Sequence, residues 1–262
     1  FAVAMKLAEL HMDSVTIAAG LLHDVLEDTQ TKPERLVDLF GSEVFNLVQG
    51  VTKTTSVNIA SSDEQRASNI RNVLLATAKD IRVIIIKLAD RLHNMQTLKF
   101  LSLDRQRVIA QESLDVYAPI AYKLGMYKIK AELEDLAFRY LEPGLYQEFK
   151  VRIGKKLSDR QIEVEHFIKV LEDELRRLKV PARVFGRAKH FYSIYKKMQR
   201  KNLKFEEVTD LAAVRVITTS IENCYKILSF VHTRWNSIPE KLDDYITNPK
   251  PNLYQSIHTE VY

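Results

Sequence analysis

Apolar residues recur every three to four positions over 1–11, 14–28, 33–49, 63–78, 80–98, 104–118 and 127–141, the spacing that lines one face of an α-helix. Pro33 stands at a helix start, and Gly41 and Gly125 at breaks. The run "RVIIIKLA" is β-branched enough for a strand, but "DRLHNMQTL" continues the helical period, so the two read as one long buried helix. After Pro143-Gly144 the pattern changes. A charged helix to about Lys179 leads into the strand "ARVFGR", a helix over 189–201, the strand "LAAVRVIT", a helix over 221–236 and the strand "SIHTEVY". The expected fold class is α + α/β, an all-helical domain over 1–140 followed by an α/β domain over 141–262.

Composition narrows the class. At 262 residues and 46% apolar the chain can bury one large core or two ordinary ones. The seven Gly and seven Pro are scattered, which argues against long linkers, and no solenoid period is present. The single cysteine, Cys224, has no internal disulfide partner, which fits a reducing compartment and a cytoplasmic location. No apolar run is long enough to span a membrane. The start at Phe1 within a helix and the end at Tyr262 within a strand read as an internal fragment, with functional groups expected beyond both ends. Charge is uneven: Arg183 to Lys204 holds eight Lys or Arg and no Asp or Glu, whereas residues 1–50 are acidic. A basic stretch of this kind is either a solvated face or a phosphate-binding one.

Two segments carry candidate chemistry. In "LLHDVLEDT" a helical wheel places Ala18, Leu21, Leu22 and Val25 on one face, with His23, Asp24 and Glu27 roughly opposite. In "LADRLHNMQTL", Asp90, Asn94 and Thr97 fall at i, i+4 and i+7 on a helix whose other faces carry Ile84, Ile85, Leu88, Leu92 and Met95. A carboxylate inside so apolar a helix is costly unless paired or metal-bound. Imidazole with carboxylates makes a borderline-to-hard site suited to a Mn- or Zn-type ion, which acidifies water and yields a nucleophile. An exposed polar face is the plain alternative.

These residues carry a family resemblance. "LLHDVLEDT", followed about sixty residues later by "IKLADRLHNM", resembles the metal-dependent HD-hydrolase half of the RelA/SpoT homologue (Rel) family. The resemblance implies His23, Asp24 and Asp90 as Mn²⁺ ligands, Glu27 and Asp28 as the acid pair that activates water, and Asn94 and Thr97 as nucleotide contacts. It also implies a fourth ligand, a His just before the first helix, ahead of Phe1, without which metal binding would be weak. "RVFGRAKHFYSIYKKM", "DLAAVRVI" and "DYITNPKPNLYQSIHT" are similar, in order, to signatures of the same family's synthetase, so the likeness spans essentially the whole chain. The second domain is thereby expected to be a nucleotidyltransferase-like mixed sheet.

On the helix after Arg187, Phe191, Ile194, Tyr195 and Met198 form a core face, and Lys189, Ser193 and Lys197 at i, i+4 and i+8 form the opposite one, where donors can line a triphosphate. The resemblance makes this face, with Arg187, the ATP site. Asp210 opens an apolar strand, where a carboxylate caps the backbone or holds Mg²⁺ as a catalytic group. The prolines of "NPKPNLYQSIH" stiffen a loop carrying Lys250, Asn252, Tyr254 and His258. By resemblance Tyr254 stacks on guanine, the others lie near the acceptor phosphates and ribose, and the catalytic Glu falls beyond Tyr262. Two departures stand out: "KLDD", Lys241 to Asp244, is closer to the family's acidic form although the hydrolase motifs are intact, and Leu253 replaces the usual Gly or Met. The carboxylates of "KLDD" raise the expectation of a second Mg²⁺ at Asp243 or Asp244.

The expected function is alarmone metabolism. One half transfers pyrophosphate from ATP to the 3′-hydroxyl of GDP or GTP with Mg²⁺, and the other hydrolyses the 3′-pyrophosphate of (p)ppGpp with Mn²⁺. Ribosome or tRNA contact is expected only through C-terminal domains absent from this chain. An HD phosphohydrolase with an inert second domain, and a catalytically silent nucleotide or RNA sensor, are the alternatives.

Overall fold

The computed structural model describes residues 1–55, 79–204, 208, 212–250 and 254–262. The chain separates into two compact units, one of Phe1–Lys150 with His190–Tyr195, the other of Val151–Lys189 with Lys196–Tyr262.

The first unit is helical: α1 Ala2–Glu9, α2 Ser14–Leu22, the single turn α3 Val25–Asp28, α4 Pro33–Thr55, α5 Ile81–Gln96, α6 Leu103–Glu112, α7 Ala118–Lys123 and α8 Tyr127–Leu141. The helix expected over 63–78 lies outside the described residues. Local chemistry sets the ends. Asp13 caps α2 by accepting from Thr16 N at 2.8 Å, and Asp80 caps α5 by accepting from Arg82 N at 2.9 Å. Gly41, at φ 83°, interrupts α4 with a conformation that only glycine adopts cheaply. A π-helical turn, Ser113–Tyr117, separates α6 from α7, just ahead of Pro119, which has no N–H to return to residue 115.

Helix α5 runs through the middle of this unit. Its faces carry Val83, Ile84, Ile86, Leu88, Ala89, Leu92 and Met95, all buried, and it packs against α1, α2, α4 and α8. "RVIIIKLA" is therefore helix, as the continuing period implied. Lys87 and Asp90 are buried on this same helix, which is where the site's chemistry begins.

Helix α9, Pro143–Arg177, whose residues from Val151 on belong to the second unit, leads to the antiparallel strands β1 Ala182–Ala188 and β2 Ala212–Thr218, paired from Ala182↔Thr218 to Ala188↔Ala212. Ala182, Val184, Val214 and Val216 alternate onto the core of Leu171, Leu175, Ile227 and Val231, while Phe185 and Ile217 face outward. Helix α10 Phe191–Lys201 lies between the strands in sequence and α11 Ile221–Arg234 follows β2. A second antiparallel pair joins β3 Asp243–Asp244 to β4 Ile257–His258. Among the described residues these pairs form two separate two-stranded sheets. No helix among the described residues is long and apolar enough to cross a membrane.

Candidate active sites

The opening motif does not form the continuous helix expected over 14–28. Helix α2 ends at Leu22, His23 and Asp24 make a turn, and α3 starts anew at Val25. The buried stripe of this segment is Thr16, Ala19, Gly20 and His23, whereas Leu21 is 54% exposed. The wheel assignment is thus reversed for His23 and Leu21. Gly20 permits a close approach of α1, since a Cβ there would lie 2.2 Å from Leu7 Cδ1. The turn then drops the imidazole inward.

His23 Nδ1 donates to the Gly20 carbonyl at 2.8 Å, since a carbonyl can only accept; Nε2 faces acceptors too and bonds to them only when it also carries a proton, whereas the neutral ring would offer its Nε2 lone pair to a metal. Nε2 faces two carboxylates, Asp24 Oδ2 at 2.9 Å and Asp90 Oδ1 at 3.5 Å. Helices α2 and α5, far apart in sequence, thereby bring His23, Asp24 and Asp90 together. Asp90 is buried and held on both oxygens, Oδ2 by Lys87 Nζ at 3.0 Å and Oδ1 by Asn94 Nδ2 at 2.9 Å. Burial opposes the Asp90 charge, but bonds from His23 and Lys87 outweigh it and push the carboxyl far below the usual range. Burial also disfavours imidazolium at His23, yet the Asp90 bond and the Asp24 and Asp90 charges raise its pKa. The Asp24 carboxyl is raised by burial, with Asp90 and Asp28 adding to the effect against His23.

Among the described residues no group of three or more His, Cys, Asp or Glu stands ready-made around a metal ion. The distances say why: His23 Nε2 leans on Asp24, and Asp90 is occupied by Lys87 and Asn94. The donor chemistry still fits a divalent ion. One imidazole with its far nitrogen pinned and two carboxylates converge, and Asp24 is exposed enough to turn. Glu27 and Asp28 lie exposed on α3 immediately after the turn. Asn94 is exposed and already bonded to Asp90, and Thr97 caps the end of α5, donating to the His93 carbonyl at 3.1 Å. Lys87 was not among the residues singled out from the sequence. Its spacing from Asp90, i to i+3, was the available signal.

Of the proposed ATP contacts, Ser193 and Lys197 share a face of α10. Lys189 does not extend that face, because the helix starts only at Phe191 and Lys189 precedes it in non-helical backbone. The start of α10 is capped by Asp135, which accepts from Phe191 N at 3.2 Å and Tyr192 N at 2.8 Å. Beside it His190 Nε2 meets Glu134 Oε2 at 2.6 Å, and Lys130 Nζ meets the same oxygen at 2.7 Å. Asp210, Asn252 and the Arg187 side chain lie outside the described residues.

Lys250, Tyr254 and His258 do come together, and Tyr245 joins them. Lys250 Nζ sits 4.2 Å from the Tyr245 ring centre and 5.7 Å from that of Tyr254. Tyr254 and His258 share a hydrogen bond of 3.0 Å, and the His258 ring stands edge-on to Tyr245 at 5.3 Å. Burial lowers the His258 pKa against the opposing Asp243 charge, and the Lys250 and Arg215 charges act in the same direction as burial. Tyr245 lies within the quoted "DYITNPKPNLYQSIHT" but was not singled out from the sequence. Asp244 is a corrected expectation: it accepts from Ile246 N, Thr247 N, the Thr247 hydroxyl and the Tyr225 hydroxyl, so its lone pairs organise the turn and leave none for Mg²⁺. Those bonds bring its pKa down to about 2.

Comparison with known proteins agrees along the chain. An HD-domain family profile matches residues 1–127, and a profile described as a region found in RelA / SpoT proteins matches residues 186–262. A GTP pyrophosphokinase of Myxococcus xanthus is 44% identical over 262 residues, 99% of this chain and 35% of that protein. A probable guanosine-3′,5′-bis(diphosphate) 3′-pyrophosphohydrolase of Synechocystis is 48% identical over 261 residues, covering 99% and 34%. The bifunctional (p)ppGpp synthase/hydrolase SpoT of Escherichia coli is 42% identical over 260 residues, covering 99% and 37%. The chain spans about a third of the length of these curated relatives. With an HD domain at its start, the RelA/SpoT region at its end and whole-chain likeness to such proteins, the chain belongs to the RelA/SpoT homologue family.

Proposed function

We propose that this chain acts in two opposed directions on guanine nucleotides in the cytoplasm. The first unit removes the 3′-pyrophosphate of (p)ppGpp with Mn²⁺, and the second transfers pyrophosphate from ATP to the 3′-hydroxyl of GDP or GTP with Mg²⁺. The observation that carries the reading is the convergence of His23, Asp24 and Asp90 from two distant helices, with His23 Nε2 aimed at both carboxylates. The names of the relatives matched along this whole chain, a pyrophosphokinase, a probable 3′-pyrophosphohydrolase and a bifunctional enzyme, support it.

In the hydrolytic direction His23, Asp24 and Asp90 would hold the divalent ion, which would supply Lewis acidity and make a water more acidic. Glu27 and Asp28, exposed beside the turn, take up the proton that the attacking water loses. Asn94 and Thr97 flank the nucleotide. In the synthetic direction the Tyr254 ring, 38% exposed, offers a face for guanine, while Lys250, Asn252 and His258 meet the acceptor's phosphates and ribose. Arg187, Lys189 and Lys197 neutralise the ATP phosphates, Ser193 donates its hydroxyl hydrogen bond to them, and Asp210 would hold Mg²⁺. Such a transfer depends on positioning and charge neutralisation more than on covalent chemistry by the protein.

The test is a paired assay on the chain with any residues that flank it in its gene. Labelled ATP with GDP and Mg²⁺ reports synthesis, and purified ppGpp with Mn²⁺ reports hydrolysis. Both products are expected. Hydrolysis alone would reduce the second unit to nucleotide binding, and neither product would refute the reading.

A further inference from the structure

Lys87 is a buried cation that the catalytic reading does not use. It is 6% exposed on α5, one turn before Asp90, among Ile84, Ile86, Leu88 and Ala89. Its ammonium lies 3.0 Å from Asp90 Oδ2, while the other oxygen of the same carboxylate faces His23 Nε2. A lysine sunk this deep costs free energy unless its charge is balanced, and Asp90 balances it. The carboxylate that would hold a divalent ion therefore already shares its charge with a cation fixed on its own helix.

We propose that Lys87 is an internal counter-cation: it compensates Asp90 when no metal is bound and, because it remains beside that carboxylate afterwards, weakens and makes exchangeable the binding of the divalent ion. This rests on the assignment of His23, Asp24 and Asp90 to metal. The charges fix the direction. Without metal, removing the ammonium leaves a buried carboxylate beside Asp24, so the metal-free protein loses stability. With metal, the ammonium and the ion share one carboxylate and repel each other, so its removal is a relief. Both changes favour the bound form. A lysine that merely oriented Asp90 would act in the opposite sense, since losing an outer partner of a ligand ordinarily weakens metal binding about 10–100-fold. Lys87 is thus a positioning and affinity-setting residue that need not touch substrate.

The experiment is Mn²⁺ binding, read by the loss of the free-ion electron paramagnetic resonance signal, together with melting temperature with and without Mn²⁺. It uses the chain with its natural flanks as parent, Lys87→Met, Lys87→Gln, Lys87→Arg and Asp90→Asn. Lys87→Gln keeps a hydrogen-bond donor and removes the charge, and carries the test if Lys87→Met fails to fold. Expected are a lower metal-free melting temperature, a larger stabilisation by Mn²⁺ and about tenfold tighter binding for Met or Gln, with Arg within about twofold of the parent. Weaker or unchanged Mn²⁺ binding in both charge-removing variants overturns the proposal. Failure of the parent to bind, or parent-like binding by Asp90→Asn, overturns the metal assignment itself and this inference with it.

Discussion

Replacing Gly20 by Ala tests how helix packing aims the site. A Cβ at this position would lie 2.2 Å from Leu7 Cδ1 and 3.6 Å from Val3 Cγ1. Carbon atoms prefer about 3.5–4.0 Å, so Leu7 or the α2 backbone must move by more than about 1 Å. Leu7 is fully buried, so its displaced methyl must be taken up by the surrounding core. Overpacking of this kind costs about 1–3 kcal/mol, and the better helix preference of Ala returns at most about 1 kcal/mol, leaving a net loss of about 1–2 kcal/mol. For a protein of this size that lowers the melting temperature by roughly 2–8 °C. Function should suffer as well, because the Gly20 carbonyl holds His23 Nδ1 at 2.8 Å, and losing such a partner weakens metal binding about 10–100-fold. Scanning fluorimetry and Mn²⁺ titration measure the two effects. In a Leu7→Ala background, where the clash is absent, Gly20→Ala should cost markedly less. An equal cost in both backgrounds, or full stability in the single variant, would refute the close approach as the constraint.

Tyr254→Ala should cost GDP binding about 1–3 kcal/mol, the usual value of one stacked base, while Tyr254→Phe keeps the ring and loses only the bond to His258. Calorimetry with GDP decides, and unchanged affinity in the alanine variant would remove Tyr254 from the acceptor site. At Glu134 burial opposes the charge, but His190 and Lys130 outweigh it and depress the carboxyl. A depressed folded-state pKa contributes stability that is present above the ordinary carboxylate range and lost as pH falls through the folded value. The parent's melting temperature should therefore fall more steeply below about pH 4.5 than that of Glu134→Gln. Parallel curves would mean that Glu134 contributes no pH-dependent stability.

Long periodic helices and their punctuation were legible: Pro33 opens α4, Gly41 breaks it, and the run from Ile81 to Gln96 is one helix. The interruption at His23-Asp24 was not legible, because a wheel assumes an unbroken helix and sorts faces by hydropathy. Here the buried stripe is made of small or polar residues, Thr16, Ala19, Gly20 and His23, chosen by how closely α1 approaches. Lys189 was extrapolated onto a helix that starts two residues later, a boundary set by the Asp135 carboxylate, which periodicity cannot see. Asp244 looked like a cation ligand in sequence and is a turn cap in space. Motifs located the chemistry; partners distant in sequence, such as Glu134 on His190 and Asp135 at the start of α10, appear only once the chain is folded.

The most direct test is Asp90→Asn, assayed for both reactions in one preparation with natural flanks. Asn keeps the volume but removes the charge that faces His23 and Lys87. Hydrolysis of ppGpp in Mn²⁺ should fall to background while pyrophosphate transfer from ATP to GDP in Mg²⁺ stays within about twofold of the parent, the two sites being independent in their chemistry. Hydrolysis at the parent's rate, with Mn²⁺ occupancy matched, would contradict the assignment of Asp90 and with it the proposed hydrolytic site.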